Sequence, residues 1–304
     1  MKNKLVSVVI VTRNRKKALV DCIESYMLST YQPIQLILVD NASDVPIKTW
    51  LSKKYPGIKI ITNSVNTGAA EGRNQGMRES KGDYILFSDD DAVADKKMIA
   101  ELVKVFEKQK KAGIVQPLIY DKENPKLLQG AGHDISTRTG RLKAWGAGEV
   151  DHGQYEGLRE VPMCGCIWMV KREVFEKIGE YDEEYFIPYE DSDFSLRARE
   201  AGYALYCYSN AKAWHEAKKS TFVHPFIDWI GITSSERAFR IGRNKIIFMK
   251  KNADKRRFML FIVFIMPAYL VIHSLLTVFA GRLDILFRYW HGVFSGIKYV
   301  VTET

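Results

Sequence analysis

Between residues 5 and 120 the chain repeats one pattern: a short run rich in β-branched and aromatic residues, a polar loop, then apolar residues at helical spacing. The runs at 5–12, 34–40, 58–62, 84–88 and 114–120 read as strands, with helices between them at 16–29, 47–55, 69–80 and 96–110. Such alternation specifies an α/β fold, a mostly parallel sheet flanked by helices on both faces. Ligands of these sheets collect beyond the carboxyl ends of the strands. Polar residues cluster there: Thr12-Arg-Asn-Arg15 after the first run, Asp40-Asn-Ala-Ser43 after the second, 63–68 after the third and Asp89-Asp90-Asp91 after the fourth. Four loops are thereby expected to face one crevice.

Beyond 120 the periodicity fades. Residues 121–160 are rich in glycine, carry Trp145 and read as an irregular insertion. A helix follows near 171–178, then a loop closing in Tyr189-Glu190-Asp191-Ser192-Asp193, a helix to 201 and a strand near 205–208.

The net charge of +9 is unevenly spread, since residues 250–304 hold eight Lys or Arg against three acids. Within them, 258–280 is a stretch of 23 residues without a formal charge, flanked by Lys255, Arg256 and Arg257 before it and Arg282 after it. A helix of that length reaches about 34 Å, enough for about 30 Å of hydrocarbon. The basic excess therefore reads as a collar at a membrane. The alternative is a buried core helix, and Pro267, which removes a backbone donor, predicts a kink or a re-entrant path. Leu283, Leu286, Phe287, Trp290, Val293, Phe294, Ile297 and Val300 then recur at helical spacing, as in an interfacial amphipathic helix. No signal peptide is read at the N-terminus, and Cys22, Cys164, Cys166 and Cys207 form no disulfide framework. A reduced, cytoplasmic catalytic part is expected.

Three adjacent carboxylates, Asp89, Asp90 and Asp91, repel one another unless a cation lies among them, and their hard oxygens suit Mg2+ or Mn2+. The competing reading is an acidic turn capping a following helix. Glu190-Asp191-Ser192-Asp193 opens a helical pattern, where such residues also serve as caps. A carboxylate beside an apolar wall can instead take a proton from a hydroxyl. His215, in Ala-Trp-His-Glu beyond the last strand, is placed to complete a metal's ligand set, although a single histidine is more often structural. At 66–74 a glycine-containing loop leads into a helix, which would bring backbone amides and Arg73 toward a phosphate, without the spacing of either common phosphate loop. Asp40 suits either a nucleoside contact or a cap.

Taken in order, these segments resemble family 2 glycosyltransferases of the GT-A (Rossmann-like) fold, inverting enzymes that use nucleotide sugars. The likeness runs through Ser7-Val-Val-Ile-Val-Thr-Arg-Asn-Arg15, Leu38-Val-Asp-Asn-Ala-Ser43, 66–74, Phe87-Ser-Asp-Asp-Asp91, 165–179, Tyr181-Asp182, Tyr189-Glu-Asp-Ser-Asp193, 197–202 and His215. It implies that Asp89 and Asp91 form an Asp-x-Asp motif, Asp91 being the more direct metal ligand, and that Asp191 is the catalytic base with Glu190 supporting it. Thr12, Arg15, Asp40, Asn66, Gly68, Arg73, Asp89 and Asp90 would hold the nucleotide sugar. Arg243-Asn244 recurs in rhamnosyltransferase-like members that assemble bacterial surface polysaccharides. Cys164-Gly165-Cys166 departs from the small or hydroxyl residues common near the acceptor and leaves the acceptor's identity open.

The resemblance thus implies an inverting hexosyl- or deoxyhexosyltransferase, dependent on Mn2+ or Mg2+, that acts from a nucleotide-diphosphate sugar onto a glycan or lipid-linked acceptor. Its catalytic domain is expected over 1–250, with a nucleotide-sugar half at 1–120 and an acceptor-side half at 121–250, and a membrane-associated helical tail over 251–304 at the cytoplasmic face. A nucleotidyltransferase is the nearest enzymatic rival, and a non-catalytic nucleotide-sugar-binding membrane subunit the rival outside enzymes. Nucleic acid is not expected as a partner, because the basic residues gather beside the apolar run instead of among exposed aromatics. Self-association is left open.

Overall fold

Strand β1 (Val6–Thr12) is buried along almost its whole length, as an unbroken Val/Ile run in a central parallel strand should be. The computed structural model describes residues 3–216, 232 and 234–302. In it β1 lies between β2 (Ile34–Asn41) and β4 (Tyr84–Asp89), with β3 (Lys59–Asn63) beyond β2, and all four strands run parallel. Thr12 stands level with Asp40 and Val11 with Asp89, so the loops read from the sequence leave the sheet at one end. On the far side of β4 come β11 (Ile167–Lys171), β6 (Ala112–Asp121) and β12 (Ala204–His215). Short strands fill the margins: β5 (Ala92–Ala94) and β10 (Leu158–Glu160) pair with β12, and β7 (Leu128–Gly130) pairs with β6, while β8 (His133–Ile135) and β9 (Leu142–Ala144) lie in the segment read as irregular.

Strand β11 was not expected. Its run Ile-Trp-Met-Val-Lys continues directly into a helix, so no turn residue punctuates it in the sequence. It enters antiparallel to both β4 and β6, the one reversal along the path from β3 to β12. The last strand also runs on past the expected 205–208 to His215. With these additions the sheet remains mostly parallel, as read.

Alternate residues of the central strands feed two cores. Val6, Val8 and Ile10 face α1 (Lys16–Met27), the one-turn α2 (Lys48–Leu51) and α4 (Met98–Lys108). Val9, Ile85 and Phe87 face α3 (Gly68–Arg78), α5 (Arg172–Ile178) and α6 (Glu190–Glu200).

Two compact units divide the chain: 1–134, 143–186 and 190–217 form the first, and 135–142, 187–189 and 218–304 the second. In the second, α7 (Ser235–Asn252) begins where Ser234 accepts the amide of Arg237, and it packs along α10 (Leu283–Thr302). Glycines allow that contact: a Cβ at Gly292 would lie 2.1 Å from the Phe239 carbonyl oxygen, and one at Gly296 would lie 2.8 Å from that of Arg243. Between them α8 (Lys255–Leu260), a π-helical turn (Phe261–Ile265) and α9 (Met266–Phe279) form one helix of 25 residues, Lys255–Phe279. Pro267 follows the π turn within this continuous helix; its missing N–H leaves a carbonyl of the preceding turn without its helical bond, and the wider π turn makes room for its ring. Only 17% of the most apolar stretch of this helix is buried, less than a core helix would bury. By length and composition it is able to cross a membrane. Helix α10 turns Ile285, Tyr289 and Val293 inward and leaves Phe287, Trp290, Phe294 and Ile297 exposed.

Helix α3 rides on β1 through glycines as well, a Cβ at Gly76 falling 2.2 Å from Cγ1 of Val9. Gly76→Ala is therefore expected to destabilise the protein by about 1–3 kcal/mol through overpacking, seen as a lowered Tm in thermal unfolding.

Candidate active site

The acidic triad does not cap a helix. Asp89 ends β4, and Asp90 and Asp91 turn directly into β5. That strand pairs antiparallel with the end of β12, His215 opposite Ala92, so sheet register carries His215 to the acids. Its Nε2 lies 2.9 Å from Asp91 Oδ1 and 3.6 Å from Asp89 Oδ2. Gln129, on β7, clamps the ring: its Nε2 donates to the His215 carbonyl at 2.9 Å, which leaves Oε1 to accept from Nδ1 at 2.7 Å. The ring nitrogen facing the carboxylates then carries a lone pair, and it is buried without a hydrogen-bond partner. A lone pair opposed to carboxylate oxygens is repulsive unless a proton or a metal cation lies between them. Burial disfavours a charged imidazole, but Cys166, Asp91 and Asp89 outweigh it and push His215 up to about 11, so without a metal the cluster takes a proton. Asp89, Cys166 and His215 offer three donor atoms all within 4.8 Å of one another, and this donor set fits a divalent metal.

The three aspartates have separate surroundings. Asp90 accepts from Thr12 Oγ1 at 2.6 Å, and burial pushes it up to about 6. Asp91, almost wholly buried, is paired with Arg15. Asp89 is the most exposed and reaches Arg73 Nη2 at 3.5 Å.

Arg73 joins the two acidic motifs. Its Nη1 donates to Glu190 Oε1 at 2.6 Å, and the guanidinium lies 4.7 Å from the ring centre of Trp168, a neighbour on β11 that sequence reading did not single out. Beneath it Trp168 Nε1 donates to Tyr181 at 3.0 Å, and Asn74 on α3 exchanges two 2.9 Å hydrogen bonds with the Tyr181 backbone. These contacts fix the segment leading to α6, whose first turn carries Glu190 and Asp191. Burial and the charge of Asp191 push Glu190 up to about 7, with Arg73 opposing, and burial raises Asp191 as well. Asp191 Oδ1 accepts the Ser192 amide at 2.8 Å. Its Oδ2 faces Gly165, where an added Cβ would lie 3.6 Å away.

Other predicted residues are occupied by the fold. Asp40 is fully buried, Oδ1 accepting from the Ser43 amide and Oδ2 from that of Ile47; it clasps the loop and is not the N-cap weighed in the sequence, since α2 is capped at Ile47 without a side-chain hydrogen bond. Asn66 Oδ1 accepts the Gly68 amide at 3.0 Å. The amides of Ala69 and Ala70 point to the carbonyl of Phe186, at 2.8 and 3.3 Å, so the start of α3 is closed by protein where an open phosphate cradle was expected. Gly68, at φ +84°, serves that closure, since a Cβ there would fall 2.6 Å from the Phe186 ring. Arg73 alone of that loop's expected contacts reaches the acids. Cys166 and Gln129 were not read as site residues; the departure Cys164-Gly165-Cys166 marked the first, and nothing local marks the second.

Residues 7–179 match the family model of glycosyl transferase family 2. The chain belongs to that family. A relative of this glycosyltransferase, N-acetylglucosaminyl-diphospho-decaprenol L-rhamnosyltransferase of Mycobacterium tuberculosis, is 24% identical over 65% of this chain and 71% of its own. The dTDP-rhamnosyl transferase RfbF of Shigella flexneri is 26% identical over 73% of this chain and 72% of its own. An uncharacterized glycosyltransferase of Haemophilus influenzae is 38% identical, but the match spans only 29% of either chain. Among solved structures, GalNAc-T7 with UDP, GalNAc and Mn2+ superposes with a TM-score of 0.62 at 16% identity, over 82% of this chain and 50% of that one. S. aureus TarS 1–349 gives 0.56 at 12% identity, over 96% and 91%. These likenesses show the GT-A fold.

Truncating Arg73 to Ala strands Glu190 as an unpaired buried carboxylate. The expected loss is about 3–5 kcal/mol of stability, measurable by chemical denaturation, with Arg73→Lys recovering part of it.

Proposed function

We propose that this family 2 glycosyltransferase is an inverting, dication-dependent enzyme that moves a hexosyl or deoxyhexosyl group from a nucleotide-diphosphate sugar to a hydroxyl of a lipid-linked or polysaccharide glycan. The observation that carries the reading is Arg73, whose buried guanidinium touches Asp89 on one side and Glu190, next to Asp191, on the other. A leaving-group side and a proton-accepting side thus border one another. The names of the mycobacterial and Shigella relatives favour a rhamnosyl-type donor, and that of the mycobacterial one a polyprenyl-diphosphate-linked acceptor. GalNAc-T7, crystallised with UDP and Mn2+, favours the cofactor.

In this mechanism Asp91, Asp89 and His215 would hold Mn2+ or Mg2+, which would supply Lewis-acid neutralisation of the diphosphate. Thr12 keeps Asp90 turned inward, and Gln129 keeps the free nitrogen of His215 toward the acids. Arg15, partly exposed beside Asp91, and Arg73 add positive charge where the diphosphate departs. Asp191 Oδ2 takes the acceptor's proton as the new glycosidic bond forms and the sugar–phosphate bond breaks, and a single displacement of this kind inverts the anomeric carbon. The exposed helix Lys255–Phe279 and the basic Lys255, Arg256 and Arg257 at its start support attachment at the cytoplasmic face of a membrane.

Asp191→Asn is expected to lower kcat by about 10²–10⁴-fold while donor KM stays near that of the wild type; transfer at the wild-type rate would reject the assignment. Because burial raises both carboxyls, transfer by the wild type should be lost as pH falls through a range above the usual carboxylate one. A pH–rate profile flat down to the ordinary carboxylate range would contradict a buried base. Replacing exposed Val263 and Phe264 with Glu should abolish co-flotation with anionic lipid vesicles, and unchanged flotation would remove this helix as the anchor.

A further inference from the structure

We propose that Cys166 is a further ligand of the dication, making the centre a mixed nitrogen, oxygen and sulfur site that takes Mn2+, Co2+ or Zn2+ in preference to Mg2+. The inference rests on the dication dependence proposed above and adds a ligand and a class of ion to it. Its first support is geometric. The donor atoms of Asp89, Cys166 and His215 all lie within 4.8 Å of one another. Donors bound at about 2.0–2.3 Å to one tetrahedral ion stand about 3.3–3.8 Å apart, so the widest pair here would close by about 1 Å at most, within reach of side-chain rotation.

The second support is the backbone. Cys166 adopts φ +66°, a conformation uncommon for any residue with a Cβ and comfortable for glycine. Sheet pairing holds it there: Ile167 is in register with Ser88, and the Asp89 amide donates to the Cys166 carbonyl at 3.2 Å. A side chain kept at a glycine-like position, on a strand end registered against the acidic triad, points to work done by that side chain. The other cysteines have ordinary surroundings, with Cys22, Cys164 and Cys207 each directing Sγ at a backbone carbonyl.

The third is chemical. Sulfur binds poorly to Mg2+, which prefers oxygen and retained water, and well to the later divalent ions, which also accept imidazole. On ligation the Cys166 thiol proton leaves to solvent and the thiolate takes its place at the metal.

The test is a Co2+ titration of the full-length protein with UDP present, followed by absorption. The wild type should develop a sulfur-to-cobalt charge-transfer band in the near ultraviolet. Cys166→Ser and Cys166→Gly should lack it and bind Co2+ at least about 10-fold more weakly, while Cys164→Ser keeps it. Cys166→Gly, which suits φ +66°, should retain or raise the Tm, so loss of the band there is not a folding defect. Co2+ bound with visible d–d bands but no charge-transfer band would overturn the thiolate and leave the dication reading standing. Calorimetry detecting neither Co2+ nor Mn2+ binding would overturn both, and a band that survives in Cys166→Gly would overturn this inference alone.

Discussion

A single buried guanidinium organises the site. Arg73 projects from α3 between a carboxylate at the end of β4 and another at the start of α6, residues more than a hundred positions apart. Glu190 is buried with its charge facing that guanidinium, and neither element would bring its acids so close to the other's without a cation between them. The charge is held by packing as much as by ion pairing. Trp168 lies under the guanidinium, Tyr181 under Trp168, and Asn74 ties Tyr181 back to the helix that carries Arg73. The loop closes on itself, so the arginine is fixed at both ends.

On the other side of the triad the charges do not cancel internally. Arg15 pairs with Asp91 and Arg73 with Asp89, Thr12 holds Asp90, and Asp91 and Asp89 also face a ring nitrogen of His215 that Gln129 has turned toward them. Those carboxylates and Cys166 together push the histidine up to about 11 against its burial. The elements that build the cluster are rigid. His215 ends β12 and Asp91 lies in the two-residue turn between β4 and β5, a turn held short by the pairing of β5 with β12, so little has to be ordered when a ligand arrives.

Much of this was legible in the sequence, for identifiable reasons. The parallel strands β1 to β4 and the helices after them carry a strong periodic signal, and strand-end acids stand out against it. Arg73 was noticed for a phosphate-loop pattern, but its partners are side chains brought by the fold, and the amides expected to accompany it are taken by Phe186. Strand β11 escaped because an apolar run flowing into a helix has no punctuation to separate the two. Asp91 resembled a cap because carboxylates before an apolar stretch usually are; the following β5 is three residues long and exists only through pairing with β12, which no local pattern reveals. Gln129 escaped for the same cause, since its whole significance lies in a neighbour 86 residues away.

The reversed strand β11 leaves the enzyme with little room to drift. Because it runs against β4, its beginning meets the other's end, and Trp168 sits across from Phe87. Sliding this strand by one position would turn the indole to the opposite layer, strip the arginine of its floor and swing the thiol at residue 166 away from the acids, all in one step. Substitutions around it can therefore be tolerated singly only where they spare the alignment, whereas an inserted or deleted residue between 160 and 171 should silence the enzyme outright even though every catalytic side chain is still encoded.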